Sequence, residues 1–241
     1  MNIRFFLGLS AILAASCGGG SSTVTLDGIL QAVQQGINVP TDPVPTVSIL
    51  GRNADEFEMA VSTATASSQV QFTLKGVPAD QDLVFRVSGS AIESVLSFPI
   101  NASEDGSHRV PVLIGNSIST FIAMAENPSG INIDVDENLG IVAGILQPPF
   151  SDSVVSTGAN TDRVRMVQKN TNTEITYDGP YYFNSQGDLV DSGSCPDQEC
   201  NYIFFNVPEG SFRFQKLDSG SNVLAQNDVV VLASQLTFGM E

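Results

Sequence analysis

Residues 202–217 read YIFFNVPEGSFRFQKL, and this stretch decides the fold. A run of aromatic and β-branched residues, Tyr202 to Val207, meets a Pro-Glu-Gly turn and then a second run in which Phe212 and Phe214 share one face while Arg213 points away. Alternation of this kind is the signature of a half-buried strand, so the stretch reads as strand, short turn, strand. A second stretch, FTLKGVPADQDLVFRVSG at 72–89, repeats the order strand, Val-Pro turn, strand.

Outward from these two stretches, short segments rich in Val, Ile, Phe and Thr alternate with clusters of Gly, Asn, Asp and Pro. They predict strands at 69–75, 82–88, 94–100, 108–114 and 119–125, and a second series at 140–146, 163–169, 174–177, 202–207, 211–216 and 229–233. Turn signals at intervals of about 8–12 residues, with no long helical period after residue 50, predict an all-β chain of two tandem β-sandwich modules. Turn and acidic residues cluster in NPSGINIDVDENL at 127–139, which puts the modules at 54–136 and 137–241.

The N-terminus has a different character. Residues 1–16, MNIRFFLGLSAILAAS, combine Arg4, an apolar run from Phe5 to Leu13 and the small residues Ala14, Ala15 and Ser16. That is the pattern of a secretory signal peptide, too short to span a bilayer. With Cys17 directly behind it, the string LAASCGGGSS resembles the lipobox of bacterial lipoproteins. The resemblance implies that Cys17 is acylated and becomes the new N-terminus on cleavage and, with Gly18 where an Asp would retain the protein at the inner membrane, an outer-membrane location. Cleavage after Ser16 without lipidation, giving a freely secreted protein, is the alternative. Three cysteines leave one unpaired in an oxidising compartment; lipidation of Cys17 leaves Cys195 and Cys200 as a disulfide pair closing a short loop.

Residues 17–53 read as the lipidated cysteine and a flexible stalk. GGGSS is flexible by composition, and NVPTDPVPT carries three prolines within nine residues. Between them LDGILQAVQQGINV places Ile29, Leu30, Val33 and Ile37 near one face of a short amphipathic helix.

Each module also resembles a known type. NASEDGSHRVPVLIGNSISTFIAMAEN, with the turn Asp105-Gly106-Ser107 and a final strand from Ile118 to Ala125, is similar to bacterial Ig-like domains. GIVAGIL together with the Phe205–Phe212 strand–turn–strand resembles the carboxypeptidase-regulatory-like (prealbumin-like) sandwich. The second resemblance implies a non-catalytic spacer or attachment module.

Chemistry-bearing residues are sparse. His108 is the only histidine, so a Ser-His-Asp arrangement would have to use it, and it sits at a turn-to-strand junction without a nucleophile-elbow motif. One histidine with a C-x4-C pair does not make the usual zinc set. No group of residues meets the nucleophile, base and orienter pattern of an enzyme. Asp134, Asp136 and Asn138 alternate ahead of Gly140, a spacing that can wrap calcium with hard oxygen ligands, and Asp188 with Asp191 is a second such place.

The formal charge of −16, from 26 Asp+Glu against 10 Lys+Arg, excludes a basic nucleic-acid footprint. The expectation is thus an exported lipoprotein acting as a non-catalytic structural or binding module at the cell envelope or surface. Its alternatives are a carbohydrate-binding or calcium-assisted adhesion module and a carboxylate-dependent hydrolase. The partners implied are the membrane, through the lipid, and an envelope protein or glycan.

Overall fold

The computed structural model describes residues 22–34, 36–52, 54–63, 69–102, 107–145, 163–193 and 201–239. The N-terminal half supplies β1 (Thr23–Ala32), β2 (Thr46–Ile49), β3 (Glu58–Thr63), β4 (Gln69–Pro78), β5 (Asp82–Leu83) and β6 (Phe85–Gly89). There follow β7 (Ile92–Leu96), β8 (Ile100–Asn101), β9 (Ser107–Val112) and one helix, α1 (Ser117–Ala125). The C-terminal half supplies β10 (Gly140–Ile145), β11 (Arg163–Gln168), β12 (Asp178–Phe183), β13 (Leu189–Val190) and β14 (Asn201–Val207). The last three are β15 (Gly210–Leu217), β16 (Val223–Val231) and β17 (Leu236–Phe238).

These strands build an all-β fold of packed sheets. Sheet β3-β4-β1-β9 faces the β7-β6-β2 end of an eight-stranded sheet whose full order is β13-β12-β14-β10-β17-β7-β6-β2. Sheet β11-β15-β16 covers the other end. Two cores result, one from residues between Leu26 and Val112 and one from residues between Val142 and Val231. The sheet runs through both halves because β17, the last strand, lies between β10 and β7 and pairs in parallel with each: Ile141 opposite Leu236, and Val95 opposite Leu236.

Strand β14 shows why the aromatic run belongs at the centre. Tyr202 and Phe204 enter the second sandwich core, while Ile203 and Phe205 enter a third cluster on the opposite face of the same sheet. A strand buried on both faces loses the polar half of its alternation, which is why YIFF is apolar throughout. At Asn206 the chain takes φ 54°, a left-handed bulge that turns Val207 back to the sandwich side.

The N-terminal segment is a correction to the stalk reading. Residues 23–32 form neither a tether nor a helix but the inner strand β1, antiparallel to β4 and parallel to β9. Leu26, Leu30 and Ala32 point into the first core, with Leu30 fully buried. The period of two is masked in sequence by Gly28, the inward position between the two leucines. The ring of Phe72, its cross-strand partner, fills that space, and a Cβ on Gly28 would stand 2.2 Å from Phe72 Cζ. Further on, Val39, Val47 and Ile49 are buried and β2 pairs with β6, so the proline-rich stretch lies along the body.

The expected strand at 119–125 is likewise corrected, to helix α1. Ile118, Phe121, Ile122 and Ala125 recur at helical spacing and pack on the outer face of the eight-stranded sheet. The expected strand at 174–177 makes only an isolated bridge, Glu174 to Val167, and the strand proper begins at Asp178.

Candidate functional site

Helix α1 lines two depressions of the surface. Its own cap residue, Asn116, makes no side-chain cap bond; instead the Ile118 N–H donates to Glu93 Oε2 on β7 at 2.8 Å. Gln34, just past β1, fixes the same corner, its Nε2 donating to the Ile114 carbonyl at 2.8 Å and to Ser117 Oγ at 2.7 Å. Burial pushes the Glu93 carboxyl above its ordinary 4.5, and the N–H bonds of Ile118 and Ser117 pull it down by less. The folded pKa therefore lies above the unfolded one, and the stability linked to this group is full below the unfolded value and falls as pH rises through the folded value. Glu93→Gln keeps an acceptor without the charge. It is expected to be at least as stable as the native protein at pH 7 and to flatten that part of the pH–stability curve. Glu93→Ala leaves the N–H unmet and is expected to cost about 1 kcal/mol, both read from urea melts at several pH values.

On one flank of the helix lies a polar cleft of about 650 Å³. One wall is the end of α1 with the turn that carries Asn127 and Ser129; the other is the β12–β13 hairpin with Asn184, Asp188 and Asp191. Its floor is apolar, with Tyr181 and Leu189 buried and Ile131 half-buried. The hairpin turn is organised by Asn184, whose Oδ1 accepts the N–H groups of Gln186 at 3.0 Å and Asp188 at 2.8 Å. Across it the Ser129 N–H donates to Asn127 Oδ1 at 3.0 Å. Amides, a hydroxyl and two exposed carboxylates thus face each other over an apolar base, the composition of a site that orients a polar ligand by a few directed hydrogen bonds.

The Tyr181 hydroxyl is held above its ordinary range, first by burial and then by the charges of Asp178 and Asp191. Asp191→Asn is expected to bring its titration down, as followed by ultraviolet absorbance against Tyr181→Phe. An unmoved titration would separate Asp191 from the cleft floor.

On the other flank is an apolar cavity of about 180 Å³, walled by Val33, Leu113, Phe121, Phe183 and Phe238. Phe121 and Phe183 meet edge to face, with ring centroids 5.5 Å apart.

The sequence-derived candidates fall as follows. Cys17, Cys195 and Cys200 lie outside the described residues. Asp134, Asp136 and Asn138 are exposed. Asp134 and Asp136 alternate because Val135 packs inward on the third cluster in step with Ile131 and Ile133, whereas Glu137 before Asn138 is exposed. Asp136 Oδ1 accepts the Asn138 N–H at 2.9 Å and its side-chain amide at 2.8 Å, which holds the carboxyl below its ordinary value. The Asp134 carbonyl accepts from Asn206 Nδ2, and the Asp136 N–H donates to Asn206 Oδ1, both at 2.8 Å. Asn206 also donates to Asp178 Oδ2 at 2.6 Å, so this segment is tied to the sheet. Among the described residues no three His, Cys, Asp or Glu side chains are grouped to hold a metal ion. His108 is half-buried on β9, opposite Gly28 of β1. Asp188 and Asp191 are the sequence candidates that line the cleft. Asn127, Ser129 and Asn184 were missed, their only signal being membership of turn-forming clusters.

No protein-family model matches the chain, and no curated protein matches it. Among solved structures, the adhesin InvE of Yersinia pseudotuberculosis aligns over 89% of this chain and 61% of its own, at 10% identity and a TM-score of 0.16. The chain therefore spans less than two thirds of that adhesin's length, and a likeness of this size bears on neither fold nor function.

Proposed function

We propose that the protein is an exported bacterial lipoprotein, anchored through Cys17, whose folded body is a non-catalytic binding or structural module at the cell envelope. The observation that carries this reading is the string LAASCGGGSS standing immediately ahead of a body whose first strand starts at Thr23. Because that strand is built into the core, the linker from Cys17 to Thr23 reaches at most roughly 20 Å when fully extended. The lipid would hold the first sandwich close to the bilayer, with no long stalk between. Since β1 starts at the anchored end and finishes beside Gln34 at the helix corner, the cleft would lie about one strand length farther out.

Among the described residues no helix is long and apolar enough to cross a membrane. Fractionation of cells expressing the native chain and Cys17→Ala tests the lipid anchor: the native protein should sediment with membranes, and the variant should not. Equal partition of both would overturn the anchor.

A second reading concerns what the module binds. The polar cleft favours a glycan over calcium: Asn127, Ser129, Asn184, Asp188 and Asp191 offer converging donors and acceptors over an apolar floor, whereas Asp136 already spends its carboxylate on Asn138. Paired Asp188→Ala and Asp191→Ala changes should abolish retention on immobilised envelope polysaccharide if this holds. Unchanged retention would remove the cleft from consideration.

A further inference from the structure

We infer that the apolar cavity beside α1 is a binding site for a small aromatic molecule carrying one N–H or O–H donor. Well-packed interiors leave few voids larger than a water molecule. This one, half open to solvent, holds about 180 Å³, a volume comparable to the closed cavities of roughly 150 Å³ lined by Leu, Ile and Phe that take up benzene. The space exists because β10 turns the small Ala143 to this wall, two residues after Ile141 on the same face. The facing rings of Phe121 and Phe183, together with Phe238, offer edges and faces to a planar guest.

Besides Tyr202, whose ring packs in the second core, two side-chain amides line the cavity in opposite states. Gln34 is engaged on both sides of its amide: it donates two bonds, and its Oε1 accepts the Ile114 N–H at 3.3 Å, so its place is to hold the corner. Asn201 Oδ1, by contrast, is buried with no hydrogen-bond partner among the described residues. A buried acceptor left unmet is costly and calls for a donor. A guest that fills the apolar space and brings one donor to Asn201 meets both needs at once, whereas a purely apolar guest meets one. A charged or strongly polar guest would be stripped of water against phenylalanine walls and is excluded by the same arithmetic. The inference does not depend on the lipid anchor or on the polar cleft.

The test uses the purified full chain with indole and indene, two probes of the same shape that differ in the N–H. Calorimetry should show saturable binding of both, with indole about tenfold tighter, the step that one satisfied hydrogen bond confers. Asn201→Leu should bring the two probes to equal affinity by weakening indole alone. Ala143→Leu, which fills the space, should abolish both while the circular dichroism spectrum is kept. Should Ala143→Leu fail to fold, intermolecular nuclear Overhauser effects from indole to the Phe121 and Phe183 rings in the native chain decide the location. Absence of saturable binding, equal affinity of the native chain for the two probes, or contacts elsewhere would overturn the assignment.

Discussion

Phe204→Ala is expected to cost the second sandwich about 3–5 kcal/mol, the range for emptying a buried aromatic position. Phe204 is fully buried at the centre of β14 and touches three other rings. Its centroid lies 4.9 Å from Tyr177, 5.9 Å from Tyr202 and 6.2 Å from Phe214, each in an edge-to-face arrangement. Such pairs add about 0.5–1.5 kcal/mol beyond burial, so the loss should fall in the upper part of the range. The chain has no tryptophan, and its four tyrosines, 177, 181, 182 and 202, all stand in the C-terminal half. The tyrosine band of the near-ultraviolet circular dichroism spectrum therefore reports that half. Urea melts followed there should shift to lower denaturant at similar slope; a loss below 1 kcal/mol would mean that β14 is not the shared wall between two cores.

Leu30→Ala should cost about 2–5 kcal/mol, although it lies in a segment that composition reads as a tether. In a tether the change would fall within about 0.5 kcal/mol of zero. The difference rests on the position of Leu30 on β1, fully buried, with Val70 opposite on β4 and Val110 opposite on β9. Far-ultraviolet circular dichroism should register the weakened first sandwich. The tyrosine signal then shows whether the second sandwich melts with it. Coupling is expected to run through β17, whose pairing with both β10 and β7 makes one sheet serve the two cores.

The class of fold was legible in the chain because period-two patterning and recurrent turns are local properties. Strands β14 and β15 are the best case, since each carries its own apolar pattern on either side of a short turn; what their sequence does not show is that the turn crosses from one sheet to the other, β14 pairing with β10 and β12 and β15 with β11 and β16. β1 escaped because its inward glycine interrupts the apolar count and because its partners β4 and β9 are remote in sequence. Helix α1 escaped for a different reason: its composition, Ile and Phe among Ser and Thr, favours strands, and the carboxylate that takes its first N–H lies 25 residues away on β7. What overrides the local preference is the apolar outer face of the eight-stranded sheet, which an amphipathic helix can cover and a lone strand cannot. The cleft was half legible. Asp188 and Asp191 stood out as carboxylates in a turn, whereas Asn127 and Ser129 face them only because the helix carries its C-terminal turn across the hairpin. The Asp134–Asp136 spacing had a packing reason, Val135 turned inward between them in step with Ile131 and Ile133.

The measurement that bears most directly on the lipoprotein reading is the intact mass of the mature protein purified from its native membrane, with and without thiol reduction. A chain beginning at Cys17 and heavier by a diacyl or triacyl group, gaining the mass of two hydrogens on reduction of a Cys195–Cys200 bond, is the predicted result. An unmodified chain in the soluble fraction would contradict it and make the protein a freely secreted one.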